Sequence, residues 1–243
     1  MTDWIVPDWP APSNVRALVT TRAGGVSLGR YASMNLGDHV GDEPLAVAEN
    51  RALLHRETGC RTLWLNQVHG TRVVDAAAAG QGAEADASLS RISGEACAVM
   101  TADCLPVLLC DRAGTVVAAV HAGWRGLCAG VIESAVVAME LPPCDVLAWL
   151  GPAIGPQAFE VGEDVRQAFL LHDSRAAQAF RARDGKWLCD LYLLARQRLA
   201  ALGVAGVWGG GLCTWSDAAR FYSFRRDGVT GRMASLVWLA DHD

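Results

Sequence analysis

Two runs of β-branched and aliphatic residues, Leu105 to Cys110 and Val116 to Val120, flank the turn sequence Asp111-Arg112-Ala113-Gly114. Such runs around an Asp- and Gly-bearing turn predict a β-hairpin. A hairpin sets register, and register decides which side chains share a sheet face. If this one closes symmetrically about Arg112-Ala113, Cys104 and His121 become cross-strand partners. Such partners have Cβ atoms roughly 4.5–5.5 Å apart on one face, close enough for a thiolate and an imidazole to share one ion. Both lie in short motifs, Thr101-Ala102-Asp103-Cys104-Leu105-Pro106 and His121-Ala122-Gly123-Trp124-Arg125-Gly126. A third ligand, His69, stands in the polar loop Asn66-Gln67-Val68-His69-Gly70. Two nitrogens and one sulfur leave a fourth position open, the pattern of a catalytic zinc site.

The rest of the chain mixes strands and helices without strict alternation. Val15 to Thr21, Leu63 to Leu65, Arg72 to Val74, Cys97 to Thr101 and Val146 to Leu150 have strand composition. A helix is predicted from Asp42 or Glu43, with Pro44 in its first turn, to Gly59. Others are predicted over Gly126 to Met139, over most of Glu163 to Phe180, and from the cap Asp190 through Leu202 to Gly203. Phe221 to Arg225 and Met233 to Leu239 suggest a last hairpin across Asp227-Gly228. No repeat or Pro/Ser linker divides residues 1–243, so one domain is expected. The fold class is α/β (or α+β), a layered sandwich with mixed β-sheets.

Half of the residues are hydrophobic, enough for a sizeable core, and the net charge of −5 disfavours a general nucleic-acid binder. The N-terminus lacks a basic region followed by a long apolar run, and no apolar run approaches a membrane span, so a cytoplasmic location is expected. No protein partner is indicated. The eight cysteines form no Cys-x-x-Cys pair, and apart from Cys104 they are expected to be small buried hydrophobes. His39, His55, His172 and His242 lack the motif context of the other two histidines and are expected to be ordinary.

Several residues fit chemistry at the triad. Zn²⁺ lowers the pKa of a bound water to roughly 7, which makes Asp103 a candidate general acid or base and Cys104 a candidate catalytic ligand. Asp103 and Cys104 face one site only if the chain bends between them, because strand neighbours point to opposite faces. The competing reading of Asp103 is a turn cap. Without metal, Cys104 as thiolate and His121 as base make a nucleophilic dyad. The same residues serve either reading. Arg22 beside Gly24-Gly25, and Arg125 in the first turn after His121, are candidate anion-binding groups. Gln67 is a candidate to contact substrate or orient His69. Trp64, Trp124 and Phe159 are candidates to stack on a base, against a simpler role as core. Asp217, Arg225 and Arg226 are expected to form a charged loop.

Taken together, these motifs resemble the bacterial YfiH-type laccase-domain family. So do Thr21-Arg22-Ala23-Gly24-Gly25-Val26-Ser27, Gly151-Pro152-Ala153-Ile154-Gly155-Pro156 and Phe224-Arg225-Arg226-Asp227, in the same order over nearly the whole chain. The resemblance implies mixed sheets in a layered sandwich likened to cysteine hydrolases, with zinc held by His69, Cys104 and His121. It implies phosphorolysis of adenosine, inosine or guanosine to the free base and ribose 1-phosphate, with adenosine deaminase and methylthioadenosine phosphorylase side activities. Members are also described as copper-dependent polyphenol oxidases and as editors of peptidoglycan precursors, which a Cys104/His121 hydrolase would suit. A non-enzymatic, zinc-stabilised binding module is the third alternative. A true laccase needs many histidine ligands. With six histidines and no His-x-His pair this chain lacks them, although one copper ion could replace zinc at the triad.

Overall fold

The computed structural model describes residues 3–241; His242 lies outside them, as do Met1, Thr2 and Asp243. Strand β1 (Val15–Val19) precedes helix α1 (Pro44–Thr58), β2 (Arg61–Leu63), β3 (Val73–Asp75), β4 (Ala87–Ser90), β5 (Glu95–Thr101), β6 (Leu105–Asp111) and β7 (Val117–Ala122). Helices α2 (Trp124–Ala129) and α3 (Val131–Ala138), β8 (Val146–Leu150), β9 (Glu160–Val161) and α4 (Glu163–His172) follow. The chain continues through β10 (Phe180–Arg183), β11 (Lys186–Cys189), α5 (Leu191–Leu202), β12 (Gly206–Gly209), α6 (Phe224–Asp227) and β13 (Met233–Leu239).

Two mixed sheets form the body. One has the order β1-β13-β5-β2 and the other β12-β8-β6-β7-β4-β3, while β10-β11-β9 make a small third sheet. Alternation along β6 and β7 sends Leu108, Cys110, Val117 and Ala119 toward Val99 and Val237 of the four-stranded sheet. Leu105, Val107, Leu109, Ala118 and Val120 take the opposite face and pack on Leu127, Ile132, Phe169 and Leu199 of the helices. On the outer side of the four-stranded sheet, Ala98 and Leu236 pack with Leu54 of α1. The layers therefore run helix, sheet, sheet, helix, the expected mixed-sheet sandwich.

Local signals placed some elements well. Pro44 opens α1 and Gly59 ends it in a left-handed conformation, while the Asp190 carboxylate accepts the Leu193 N–H at the start of α5. Three expectations are corrected. The helix expected over Gly126 to Met139 starts at Trp124 and breaks at Gly130, whose φ of 101° suits glycine and ends α2 before α3. The helix expected to reach Phe180 stops at His172, because Asp173 turns extended and caps a short 3₁₀ turn. The C-terminal hairpin does not form. Ser223 caps the short helix α6, and β13 instead lies between β1 and β5.

The central hairpin exists, but its register differs from the symmetric closure. His121 faces Pro106, not Cys104, and Cys110 faces Val117. Asp111 explains the shift. Its carboxylate accepts the N–H groups of Thr115 (2.6 Å) and Val116 (3.0 Å) and the Thr115 hydroxyl (2.8 Å), which enlarges the loop. A slip of two residues preserves sheet faces, so Cys104 and His121 still share the side facing the four-stranded sheet. Five of the cysteines expected to be core, Cys60, Cys97, Cys110, Cys128 and Cys189, are buried; Cys144 is exposed and Cys213 is half-buried.

Candidate functional site

Two segments cross between the sheets at one end of the sandwich. One joins β2 to β3 and carries His69; the other joins β5 to β6 and carries Asp103 and Cys104. Both adopt backbone that non-glycine residues seldom occupy, with φ of 61° at His69 and 97° at Asp103. The bend at Asp103 is the one required for Asp103 and Cys104 to lie beside the same cavity. His121 comes from the end of β7.

The ligand atoms of His69, Cys104 and His121 lie within 4.8 Å of one another. The Cys104 Sγ is 3.8 Å from His69 Nε2, and the two imidazoles meet edge to face with centroids 4.8 Å apart. His121 is buried, Cys104 partly so, and His69 exposed. Burial works against the Cys104 thiolate, but the neighbouring His121 charge and hydrogen bonds from both histidines bring the thiol down to about 6. Burial likewise opposes the His121 imidazolium, yet the thiolate and the Asp86 carboxylate lift it to about 9. The metal-free triad is thus a thiolate–imidazolium pair.

Asp86 is a residue that the sequence reading missed. It is fully buried. Its Oδ1 accepts from the His69 N–H (2.9 Å) and from His121 Nδ1 (2.8 Å). Its Oδ2 accepts from Gly70 N–H (2.6 Å) and Val68 N–H (3.2 Å). Burial raises the carboxyl's pKa, but the His121 bond and the backbone donors outweigh it and hold Asp86 below its ordinary value. With Nδ1–H committed to Asp86, His121 turns Nε2 toward the thiolate, the carboxylate support typical of metal-binding imidazoles. The donor set therefore fits Zn²⁺ or copper: two imidazole nitrogens, one thiolate, and a buried carboxylate behind one of them. Among the described residues this is the one group of metal-competent side chains found. Asp86 follows Ala83-Glu84-Ala85 and carries no motif that marks it; its role comes from pairing with β7.

Two clefts meet at Cys104. The first, open to solvent, spans about 540 Å³ and is walled by Trp124, Phe159 and Phe224, with Arg125 and Arg225 among its cations. The second, likewise open to solvent, spans about 690 Å³ and is lined by His39, Gln67, Thr101 and Arg232. His69, Ala102, Cys104 and Phe224 belong to both.

Asp103 lines the first cleft while tied at both oxygens: Oδ1 accepts from the Thr214 hydroxyl (2.6 Å) and Oδ2 from the Arg225 N–H (2.6 Å). Gln67 clamps the His69 loop to β5, donating to the Met100 carbonyl (2.9 Å) and accepting its N–H (2.7 Å). Arg125 stacks over Trp124 at 4.5 Å from the ring centre, and no carboxylate pairs with it among the described residues. Arg22 lines neither cleft. Its guanidinium donates to the carbonyls of Ala32 and Ala218 and lies over Tyr222.

The expectation of an ordinary charged loop holds for Asp217, which pairs with Arg220, and for Arg226, which ties Asp227 to the carbonyls of Thr214, Trp215 and Phe221. It fails for Arg225, which reaches the cleft wall. Of the aromatic candidates, Trp124 and Phe159 line the first cleft, and Trp64 instead lies under Arg51. His39, expected to be ordinary, stands on the second cleft. His55 is ordinary, bonding the Cys60 carbonyl at 2.8 Å. Gly123 is required by close approach. A Cβ there would lie 2.8 Å from His69 Cδ2 and 3.0 Å from Cys104 Sγ.

A family model described as multi-copper polyphenol oxidoreductase laccase matches residues 16–240. The chain is 57% identical over 243 residues to a Pseudomonas aeruginosa protein named purine nucleoside phosphorylase PA4543, covering 99% of this chain and 100% of that one. It is 54% identical to the Escherichia coli K12 protein named purine nucleoside phosphorylase YfiH, covering 98% and 100%. The crystal structure of Neisseria meningitidis protein NMB0706 matches with a TM-score of 0.97 at 55% identity, covering 98% of this chain and 100% of that chain.

Proposed function

Since the chain belongs to the laccase-like family whose model spans residues 16–240, we propose that it is a purine nucleoside phosphorylase working at the His69/Cys104/His121 site. One observation carries this reading: the triad opens onto a cleft that joins the aromatic surfaces of Trp124, Phe159 and Phe224 to the unpaired cation Arg125. Purines stack on such faces, and a cation beside them stabilises charge as a base departs.

The reaction breaks the C1′–N9 bond of the nucleoside and forms a C1′–oxygen bond to phosphate. The bonding electron pair leaves with the base, and the proton of hydrogen phosphate ends on it. Trp124, Phe159 and Phe224 orient the purine. Arg125 and Arg225 meet the charge that develops on it. Asp103 flanks the cleft as the acid–base group, since each of its oxygens keeps an acceptor site beyond the bond it already makes. Asp86 holds His121 in one tautomer. His69, Cys104 and His121 would hold Zn²⁺, or copper in its place, and the ion when bound supplies Lewis-acid polarisation and a lowered pKa for water. Adenosine deaminase and methylthioadenosine phosphorylase activities belong to this reading as side reactions of the same cleft. That the described residues hold one metal-competent triad favours it over multicopper oxidase chemistry.

The thiolate–imidazolium pair supports a second reading, a Cys104/His121 hydrolase of cell-wall precursors. Metal-quantified protein is incubated with adenosine, with and without phosphate, and the products are separated. Adenine formed only with phosphate, and lost in Cys104→Ala, is expected. A fully zinc-loaded protein that releases no base would sink the phosphorylase reading. A metal-free protein inactivated by thiol alkylation would favour the hydrolase.

A further inference from the structure

The second cleft contains a cation that no carboxylate hydrogen-bonds among the described residues. Arg232 Nη1 donates to the carbonyls of Thr230 and Gly231, each at 3.1 Å, which fixes the side chain next to β13. A guanidinium has five N–H donors. Nε and Nη2 of Arg232 have no protein acceptor, and no Asp or Glu pairs with it, among the described residues. No Asp or Glu lines the cleft either. Burial opposes the charge on Arg232, and only the fields of Cys104, Asp103 and Tyr31 favour it. A half-buried guanidinium with one edge unspent is shaped for two parallel N–H···O bonds to an oxyanion. Of the two arginines proposed for anion binding from sequence, Arg22 has its guanidinium turned to backbone carbonyls elsewhere, and Arg125 stands on the first cleft.

We infer that Arg232 binds inorganic phosphate in the second cleft, so that phosphate and purine reach Cys104 from opposite sides. The inference rests on the phosphorylase reading and deepens it. Displacement at carbon brings the incoming oxygen to the face of C1′ opposite the bond that breaks. Two clefts that share His69, Ala102, Cys104 and Phe224, one aromatic and the other lined by Arg232, give the purine and the phosphate separate places beside Cys104. The ribose then bridges the shared residues. His39 and Thr101 line the same cleft and carry further polar groups for the phosphate. Arg232 is thus a substrate-binding residue rather than a positioning one.

Calorimetric titration of the zinc-loaded protein with inorganic phosphate, in the absence of nucleoside, tests this. Arg232→Gln should weaken binding by about ten- to a hundredfold. Arg232→Lys, which keeps the charge without the two-pronged edge, should fall between. Thermal melting and zinc content should match wild type. A second readout uses the unaltered protein and so does not depend on how the variants fold: phosphate should slow alkylation of Cys104 in metal-stripped protein. Phosphate binding unchanged in Arg232→Gln, or lost in Arg125→Gln instead, would overturn the inference. So would an unaltered protein that neither binds phosphate nor shows protection. Phosphate binding that depends on Arg232 in a protein that cleaves no nucleoside would uphold the anion site and sink the phosphorylase reading.

Discussion

Replacing Asp86 by asparagine keeps the shape of the side chain and removes half of what it does. Oδ1 serves His69 N–H and His121, and Oδ2 serves Val68 and Gly70 N–H. An asparagine must put an NH₂ group in one of those places. In the Oδ2 place it strands two backbone N–H groups, so the Oδ1 place is favoured, where it strands only that of His69. One unmet donor costs about 1–3 kcal/mol, and two charge-assisted bonds at Oδ2 weaken to neutral ones at about 0.5 kcal/mol each. These backbone terms sum to about 3 kcal/mol of folding stability, a lower bound because the metal-free protein also loses the Asp86–His121 charge pair, measured by urea unfolding of chelator-treated protein near neutral pH. The larger consequence concerns the metal. An NH₂ facing His121 Nδ1 forces the other tautomer and places the ring proton on Nε2, the atom that should bind. Zinc affinity, measured by competition with a chromophoric chelator, should fall by about ten- to a hundredfold. An Asp86→Asn protein that binds zinc as tightly as wild type would refute the tautomer argument, whatever its stability.

Gly123→Ala places a methyl group 2.8 Å from His69 Cδ2 and 3.0 Å from Cys104 Sγ, so zinc affinity should drop by about tenfold with the fold intact; unchanged affinity would contradict the packing. In metal-stripped protein, alkylation of Cys104 should be half-maximal near pH 6, following a thiol brought down to about 6 from 9.0; mass spectrometry of the labelled peptide reads this, and a rate that rises only above pH 8 counts against the thiolate. Asp111→Ala should lower stability by about 1–3 kcal/mol through unmet donors in the hairpin turn, seen in urea unfolding. The Asp111 carboxyl is held below 3.8 because turn hydrogen bonds outweigh its burial, so its contribution is present above that value and lost as pH falls through the lower folded one. The gap between wild type and Asp111→Ala should therefore close in acid, and a pH-independent gap would contradict the assignment.

What the sequence made legible was local. Pro44 and Gly59 bound α1, Asp190 caps α5, and the apolar runs around Asp111 mark the hairpin, because each signal acts over a few residues. The hairpin register was not legible, since it depends on how many donors the Asp111 side chain gathers. Nor was the partnership of β13 with β1, which joins residues at opposite ends of the chain. The triad was found from its motifs, and the slip of two residues spared it because the faces were preserved. Asp86, Arg225 and Arg232 were missed for one reason: each reaches the site only through long-range sheet pairing or the capping of α6 by Asp103. A charged residue among alanines or arginines has no spacing that reveals such a role.

The account's central claim is that this site moves a ribosyl group onto phosphate. Phosphorus NMR of one reaction of zinc-loaded protein with inosine and inorganic phosphate tests it most directly. A growing ribose 1-phosphate resonance, equal in amount to the hypoxanthine released and absent with Cys104→Ala, is the predicted result. Hypoxanthine released while all phosphorus stays inorganic would show hydrolysis instead and contradict the claim.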